Sequence, residues 1–356
     1  MDYRKQLQDD LQFVQGQMKA EASDMMHQRR SANYKPTIWK FDFLQSLTSQ
    51  YDDRRRHVYE GWWRDLGLLE NLSFARDRLV ESFLWTVGLA FEPQRRCFRK
   101  WLTKVINLIL IIDDVYDIYG TLEELEKFTN AVDRWDSKEI QQLPECMKIC
   151  FQTLYNTTNE VAYEIEKEQG WSKVLPLLKK VWADFCKALF VEAKWYNKGY
   201  TPSLQEYLSN GWISSSGPVL SLHAFLAVTN HVTEETVDFL DTNQDLVYCS
   251  SLIIRLCNDL GTSAAELERG DAPSSVLCYM REEKVSEEMA RKHIREMVVK
   301  TWKKMNEQCF TQSPLMQPLV NIARVAQCIY QYGDGFGDQD RETRQQVLSL
   351  LIKPLI

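Results

Sequence analysis

Val105-Ile106-Asn107-Leu108-Ile109-Leu110-Ile111-Ile112 runs directly into Asp113-Asp114-Val115-Tyr116-Asp117. Seven of the first eight residues are apolar. As a helix the segment is apolar nearly all round, which fits a rod at the centre of a large bundle rather than a surface helix. At 3.6 residues per turn, Asp113 and Asp117 share one face, and Asp114 projects about 100° away. Carboxylates crowded at the end of a buried rod repel one another, so they must be solvated, neutralised or bridged by a cation. Oxygen donors with no His or Cys beside them suit a hard ion, Mg²⁺ or Mn²⁺, that keeps waters and shares phosphate oxygens with a substrate. A solvated acidic helix end is the plain alternative.

Working outward, Gly and Pro are few, no alternating Val/Thr-rich segment stands out, and periods near 3.6 recur. Leu122, Leu125, Phe128 and Val132 are one such set, and Ser286 to Cys309 reads the same way. The fold class expected is all-α. Residues 1–28 read as a short polar amphipathic helix. Arg29 to Trp39 reads as an extended strap, because Pro36 disfavours helix at Lys35. The charged run Asp52-Asp53-Arg54-Arg55-Arg56 marks a junction, which gives an N-terminal segment, 1–56, and one continuous helical domain, 57–356.

The 356 residues suffice for a sizeable core, and 44% hydrophobic with 26% charged residues is ordinary for a soluble globular protein. Eleven Trp, with fifteen Phe and fifteen Tyr, could line an aromatic cavity or simply fill a core. A net charge of −7 argues against a nucleic-acid partner. No apolar run approaches the roughly 20 residues of a membrane span. Nine cysteines without a C-x-x-C pair read as reduced thiols of an intracellular protein. The acidic start (Asp2, Asp9, Asp10) is unlike a transit peptide, so the expected location is the cytoplasm, or the plastid stroma if such a peptide has been removed.

A second oxygen-rich face comes from Asn258, Thr262 and Glu266, spaced four and four. Amide, hydroxyl and carboxylate are all hard ligands, and Arg255, three residues earlier, could grip a phosphate that the metal also touches. Alone the segment would be an ordinary polar turn at a helix start. Paired with the first cluster, it makes two helices that can bracket a diphosphate through several divalent ions. Arg76-Asp77-Arg78 opens a helix that continues to Leu89. Trp85 falls two turns beyond Arg78, about 10 Å deeper. The same offset back from Asp113 reaches Ile106, and back from Asn258 reaches Ser251. The picture is a charged mouth over an apolar, aromatic floor, although a Trp such as Trp85 also suits a plain core. Ser214-Ser215-Ser216-Gly217-Pro218 should break a helix and turn carbonyl dipoles towards a pocket, or form a structural kink. Tyr330 to Gly337, with three glycines and Phe336, reads as a loop near the mouth or a C-terminal cap.

Together these residues resemble the class I terpene synthases of plants, in the group holding most monoterpene synthases. Asp113-Asp114-Val115-Tyr116-Asp117 looks like the family's aspartate-rich metal motif, and Asn258, Thr262 and Glu266 like its second metal motif. Arg76-Asp77-Arg78 is similar to its arginine motif, and Arg29, Arg30 and Trp39 to its tandem-arginine strap. The resemblance implies a terpenoid synthase helical bundle around a central cavity, in a monomer or homodimer. It implies three Mg²⁺ (or Mn²⁺) ions on Asp113, Asp117, Asn258, Thr262 and Glu266. Arg76, Arg78 and Arg255 would hold the diphosphate, and Trp85, Ile106, Ser251, Tyr330 and Phe336 would line the cation pocket. The implied reaction is ionisation of geranyl diphosphate and release of a monoterpene. Dimethylallyl or farnesyl diphosphate as substrate, or an impaired domain-deleted relative that only binds prenyl diphosphates, are the alternatives. Two departures stand out. The helical domain usual between strap and catalytic domain is missing, and Ser274 occupies a position where the family often has lysine.

Overall fold

The computed structural model describes residues 78–90, 95–171, 173–228, 243–269, 273–308, 316–331 and 333. All regular structure among them is helical. In chain order the α-helices are α1 (Leu79–Leu89), α2 (Arg96–Asp114), α3 (Leu122–Arg134), α4 (Glu145–Gln169), α5 (Val174–Asn197) and α6 (Leu204–Ser214). There follow α7 (Gly217–Val228), α8 (Gln244–Arg269), α9 (Ser275–Glu283), α10 (Glu287–Gln308) and α11 (Gln317–Ile329). The expected strap at 29–39 and the 1–56 segment lie outside the described residues.

The apolar rod is the middle of α2. From Trp101 to Ile112 every side chain is buried except Leu110, which is half-buried. Its polar members are satisfied locally. Lys104 Nζ pairs with Glu160 of α4 at 2.7 Å, and Asn107 donates to the Thr103 carbonyl at 2.9 Å. Helices α1, α4 and α7 pack directly on α2; α8 sits beyond α7, held between α10 and α11. The rod thus runs through the bundle with its acidic end at one rim.

Beyond Asp114 the winding changes, because Val115–Tyr119 is one π-helical turn closed by Gly120 N–H donating to Val115 O at 2.9 Å. Tyr116 holds that turn. Its hydroxyl meets Thr129 Oγ1 of α3 at 2.7 Å, and its ring meets Phe128 edge-on at 6.0 Å. Next, Thr121 and Glu124 form a capping box that starts α3.

The break after Ser214 is real. Ser216 has φ 64, and Gly217 opens α7 against α8 so closely that a Cβ there would lie 2.1 Å from Ser251 Oγ and 2.6 Å from Ser251 Cα. Residue 217 must therefore be glycine for the two helices to touch.

One buried group makes stability depend on pH. His223 of α7 is enclosed, with Nδ1 2.7 Å from Val219 O and its ring edge-on to Trp182. Burial pushes the imidazole down from 6.5 to about 4, and the Val219 carbonyl offsets this only in part. Because the folded value lies below the unfolded one, this contribution is intact above pH 6.5 and is lost as pH falls towards 4. The full loss is about 3 kcal/mol. Urea melts between pH 7 and 4 should show that slope, and His223→Leu should flatten it.

Candidate active site

Asp113 is half-buried, Asp114 is 2% exposed and Asp117 is exposed. The expected common face of Asp113 and Asp117 therefore does not extend as a regular α-helical face. The π-turn under-winds the chain between them and swings Asp117 outward while Tyr116 points into the core. Burial, then the neighbouring Cys186, pushes the Tyr116 phenol well above its ordinary range, so it is neutral at physiological pH.

The second motif lies well inside α8 rather than at a helix start. Asn258 is half-buried and Thr262 is 8% exposed. Thr262 Oγ1 donates to the Asn258 carbonyl at 3.0 Å, which leaves its lone pairs available to a cation. Backbone helix continues through Glu266, whose side chain lies outside the described residues.

Arg255, one turn earlier, is drawn into the protein. Its Nη2 lies 3.1 Å from Ser214 Oγ and 4.0 Å from Glu192 Oε2, its Nη1 3.6 Å from Asp259 Oδ1, and its Nε donates to Gly211 O at 3.4 Å. Burial alone would lower its pKa; Tyr207, Glu192, Asp259 and Asp113 outweigh that and hold it well above its usual value. Asp113, at the acidic end of α2, is thus among the charges that hold Arg255 protonated. Asp259 is committed elsewhere. It accepts from Tyr207 Oη at 3.0 Å and from Ser275 N at 2.8 Å, tying α8 to α6 and to the start of α9. Glu192 in turn accepts from Asn210 and Ser214.

The floor residues expected from sequence are buried. Trp85 is 3% exposed and meets the Tyr330 ring edge-on at 6.4 Å; Ile106 and Ser251 are enclosed. Ser251 Oγ donates to Val247 O, while its carbonyl accepts from Ser215 Oγ at 3.1 Å, so it supports the helix break. Arg78 is half-buried at the N-cap of α1. Ser274, where the family often has lysine, caps α9 by accepting from Leu277 N. Arg29, Arg30, Trp39, Arg76 and Phe336 lie outside the described residues. The sequence reading missed Glu192, Tyr207 and Asp259. A lone acid inside Phe190-Val191-Glu192-Ala193 was the available signal for the first.

Among the described residues no three His, Cys, Asp or Glu side chains converge into a cage. The donors fit a different mode, in which carboxylates on one helix and an amide and hydroxyl on another share hard divalent ions with water and substrate oxygens. None of the helices among the described residues is long and apolar enough to cross a membrane.

An all-helical bundle with paired oxygen-bearing helices defines a class. The chain belongs to the terpene synthase family, and residues 64–304 match the model described as "Terpene synthase family, metal binding domain". It is 62% identical over 301 residues to (E,E)-alpha-farnesene synthase of Malus domestica, covering 83% of this chain and 52% of that protein. Against myrcene synthase of Quercus ilex identity is 52% over 298 residues, or 83% of this chain and 50% of the relative. Isoprene synthase of grey poplar, in complex with three Mg²⁺ ions and dimethylallyl-S-thiolodiphosphate, is similar with a TM-score of 0.80 and 43% identity. That match covers 89% of this chain and 60% of the poplar chain. The chain thus spans about half the length of the curated relatives it matches.

The two kinds of acid should separate in stability measurements. Asp259→Asn removes a buried counter-charge of Arg255 and sets an amide donor against Tyr207 or Ser275 N. The expected loss is about 3 kcal/mol in urea melts. Asp117→Asn, at an exposed position, should change stability by less than about 0.5 kcal/mol. Equal effects would contradict the assignment of Asp259 as a strut.

Proposed function

We propose that this chain is the catalytic domain of a terpene synthase that ionises farnesyl diphosphate and releases a sesquiterpene with inorganic diphosphate. The reaction class is supported by the family match over residues 64–304 and by oxygen donors at the end of α2 and on α8, with Arg255 held charged partly by Asp113. The choice of a C15 substrate is supported by two relatives named as alpha-farnesene synthases, from Malus domestica and Ricinus communis, at 62% and 61% identity. Geranyl diphosphate is the second reading. It is supported by the likeness of Arg29, Arg30 and Trp39 to the tandem-arginine strap and by monoterpene relatives near 52%.

Asp113 and Asp117 on one side, and Asn258, Thr262 and Glu266 on the other, would hold three divalent ions. When bound, the ions supply Lewis-acid stabilisation of the charge that develops on the departing diphosphate. Arg255 adds a fixed positive charge that no physiological pH removes, and Arg76 and Arg78 would close over the phosphates. The Trp85 and Tyr330 rings would steady the allylic cation and exclude water. Proton loss or water capture then ends the reaction. Tyr116, kept neutral and turned into the core, is not the base.

Headspace gas chromatography of the chain with Mg²⁺, offering farnesyl, geranyl and dimethylallyl diphosphate separately, tests this. A C15 hydrocarbon or alcohol is expected as the main product. Asp113→Ala should lower its formation by about 10²- to 10³-fold, and chelation of the metal should abolish it reversibly. Product from geranyl diphosphate alone would establish the second reading. No volatile from any substrate, in a folded protein that binds diphosphate, would establish a binding-only relative.

A further inference from the structure

Gly261 sits on α8 between Asn258 and Thr262, and a side chain there would strike main chain. A Cβ at 261 would lie 2.6 Å from Gly333 O, 3.1 Å from Gly333 C and 3.2 Å from Tyr330 O. Because all three are backbone atoms, no rotamer change relieves the contact. Gly333 has φ 150, a conformation that side chains rarely adopt. The absence of a side chain at Gly261, together with the φ that Gly333 adopts, therefore lets the Gly333 backbone rest directly on α8.

Tyr330 joins that contact to Trp85. It is the C-cap of α11, with its amide donating to Ala326 O. Its carbonyl lies over Gly261 while its ring meets Trp85 edge-on at 6.4 Å. One residue thus touches the motif helix with its backbone and the aromatic floor with its side chain.

We propose that the Gly261–Gly333 contact is a seat that fixes Tyr330, so that loading α8 with divalent cation and diphosphate sets the position of a ring wall of the pocket. The inference rests on the reading that the chain ionises a prenyl diphosphate. Gly261 and Gly333 are positioning residues, acting through Tyr330. A ring shifted by an ångström covers the cation less well, so water capture, with its proton released to solvent, gains on simple proton loss.

Gly261→Ala and Gly333→Ala attack the seat from opposite sides. The second meets no atom within 4 Å of its new Cβ, so it remains usable if the first fails to fold. Hydrogen exchange of residues 316–331 is measured with and without Mg²⁺ plus inorganic diphosphate. In the native chain the additions should slow exchange around Tyr330 about fivefold or more, and both variants should lose that response. The rise in melting temperature caused by Mg²⁺ and diphosphate should persist in both variants to within about 2 °C. With the accepted prenyl diphosphate, kcat should fall about tenfold and the alcohol fraction should rise, while KM changes by less than about twofold.

A native exchange response and product mixture in either variant overturns the proposal. So does loss of the melting rise in Gly261→Ala alone, which would make Gly261 a part of the metal helix only. If the native chain yields no volatile, the functional reading fails, and the exchange comparison still decides whether the seat exists.

Discussion

A guanidinium buried in a helical bundle must be surrounded by charge and dipoles, and Arg255 obtains them from three helices at once. Glu192 comes from α5, Ser214 and the Gly211 carbonyl from α6, and Asp259 from its own helix α8. Each partner is further engaged, Glu192 by Asn210 and Ser214, Asp259 by Tyr207 and the Ser275 amide. Removing Arg255 would leave Glu192 and Asp259 buried without their cation, which costs several kcal/mol, so the network helps dictate where α5, α6 and α8 sit. The fit is close. A Cβ at Gly211 would come within 3.3 Å of Arg255 Cγ. The placement of α8, and with it the second metal motif, follows from this one buried cation.

The first motif is placed by a different force. The α2 rod is anchored by burial of nearly every side chain from Trp101 to Ile112, and it delivers its acids to the rim because the apolar run stops there. The π-turn then allots its residues opposite environments. Tyr116 is pinned to Thr129 and Phe128, and Asp117 is exposed. The core therefore determines which carboxylate stays exposed, Asp117, and which is enclosed, Asp114.

Much of this was legible in the sequence. The eight-residue run ending at Ile112 announced the rod, and the Ser-Ser-Ser-Gly-Pro break fell where the structure has it, whereas the common face expected of Asp113 and Asp117 is interrupted by the π-turn. What was not legible depends on contacts distant in the chain. Nothing local marks Val115–Tyr119 as π-helical; the under-winding is held by Tyr116 reaching α3. Arg255 was read as a phosphate ligand from its spacing, but its partner Glu192 lies 63 residues away. Ser274 was noticed for the lysine it replaces, whereas its hydroxyl caps α9. Nor does anything local show that Gly261 has the Gly333 carbonyl against it.

In the proposed function the oxygen donors of α2 and α8 take up diphosphate through divalent cations that join them. Calorimetric titration with inorganic diphosphate, in the presence and absence of Mg²⁺, tests it most directly. Like-charged carboxylates facing a phosphate should repel it without metal and bind it through metal. The account therefore expects diphosphate affinity to rise by about 100-fold or more with Mg²⁺, and Mg²⁺ affinity to rise equally with diphosphate. Diphosphate affinity that is the same with and without Mg²⁺ would contradict it.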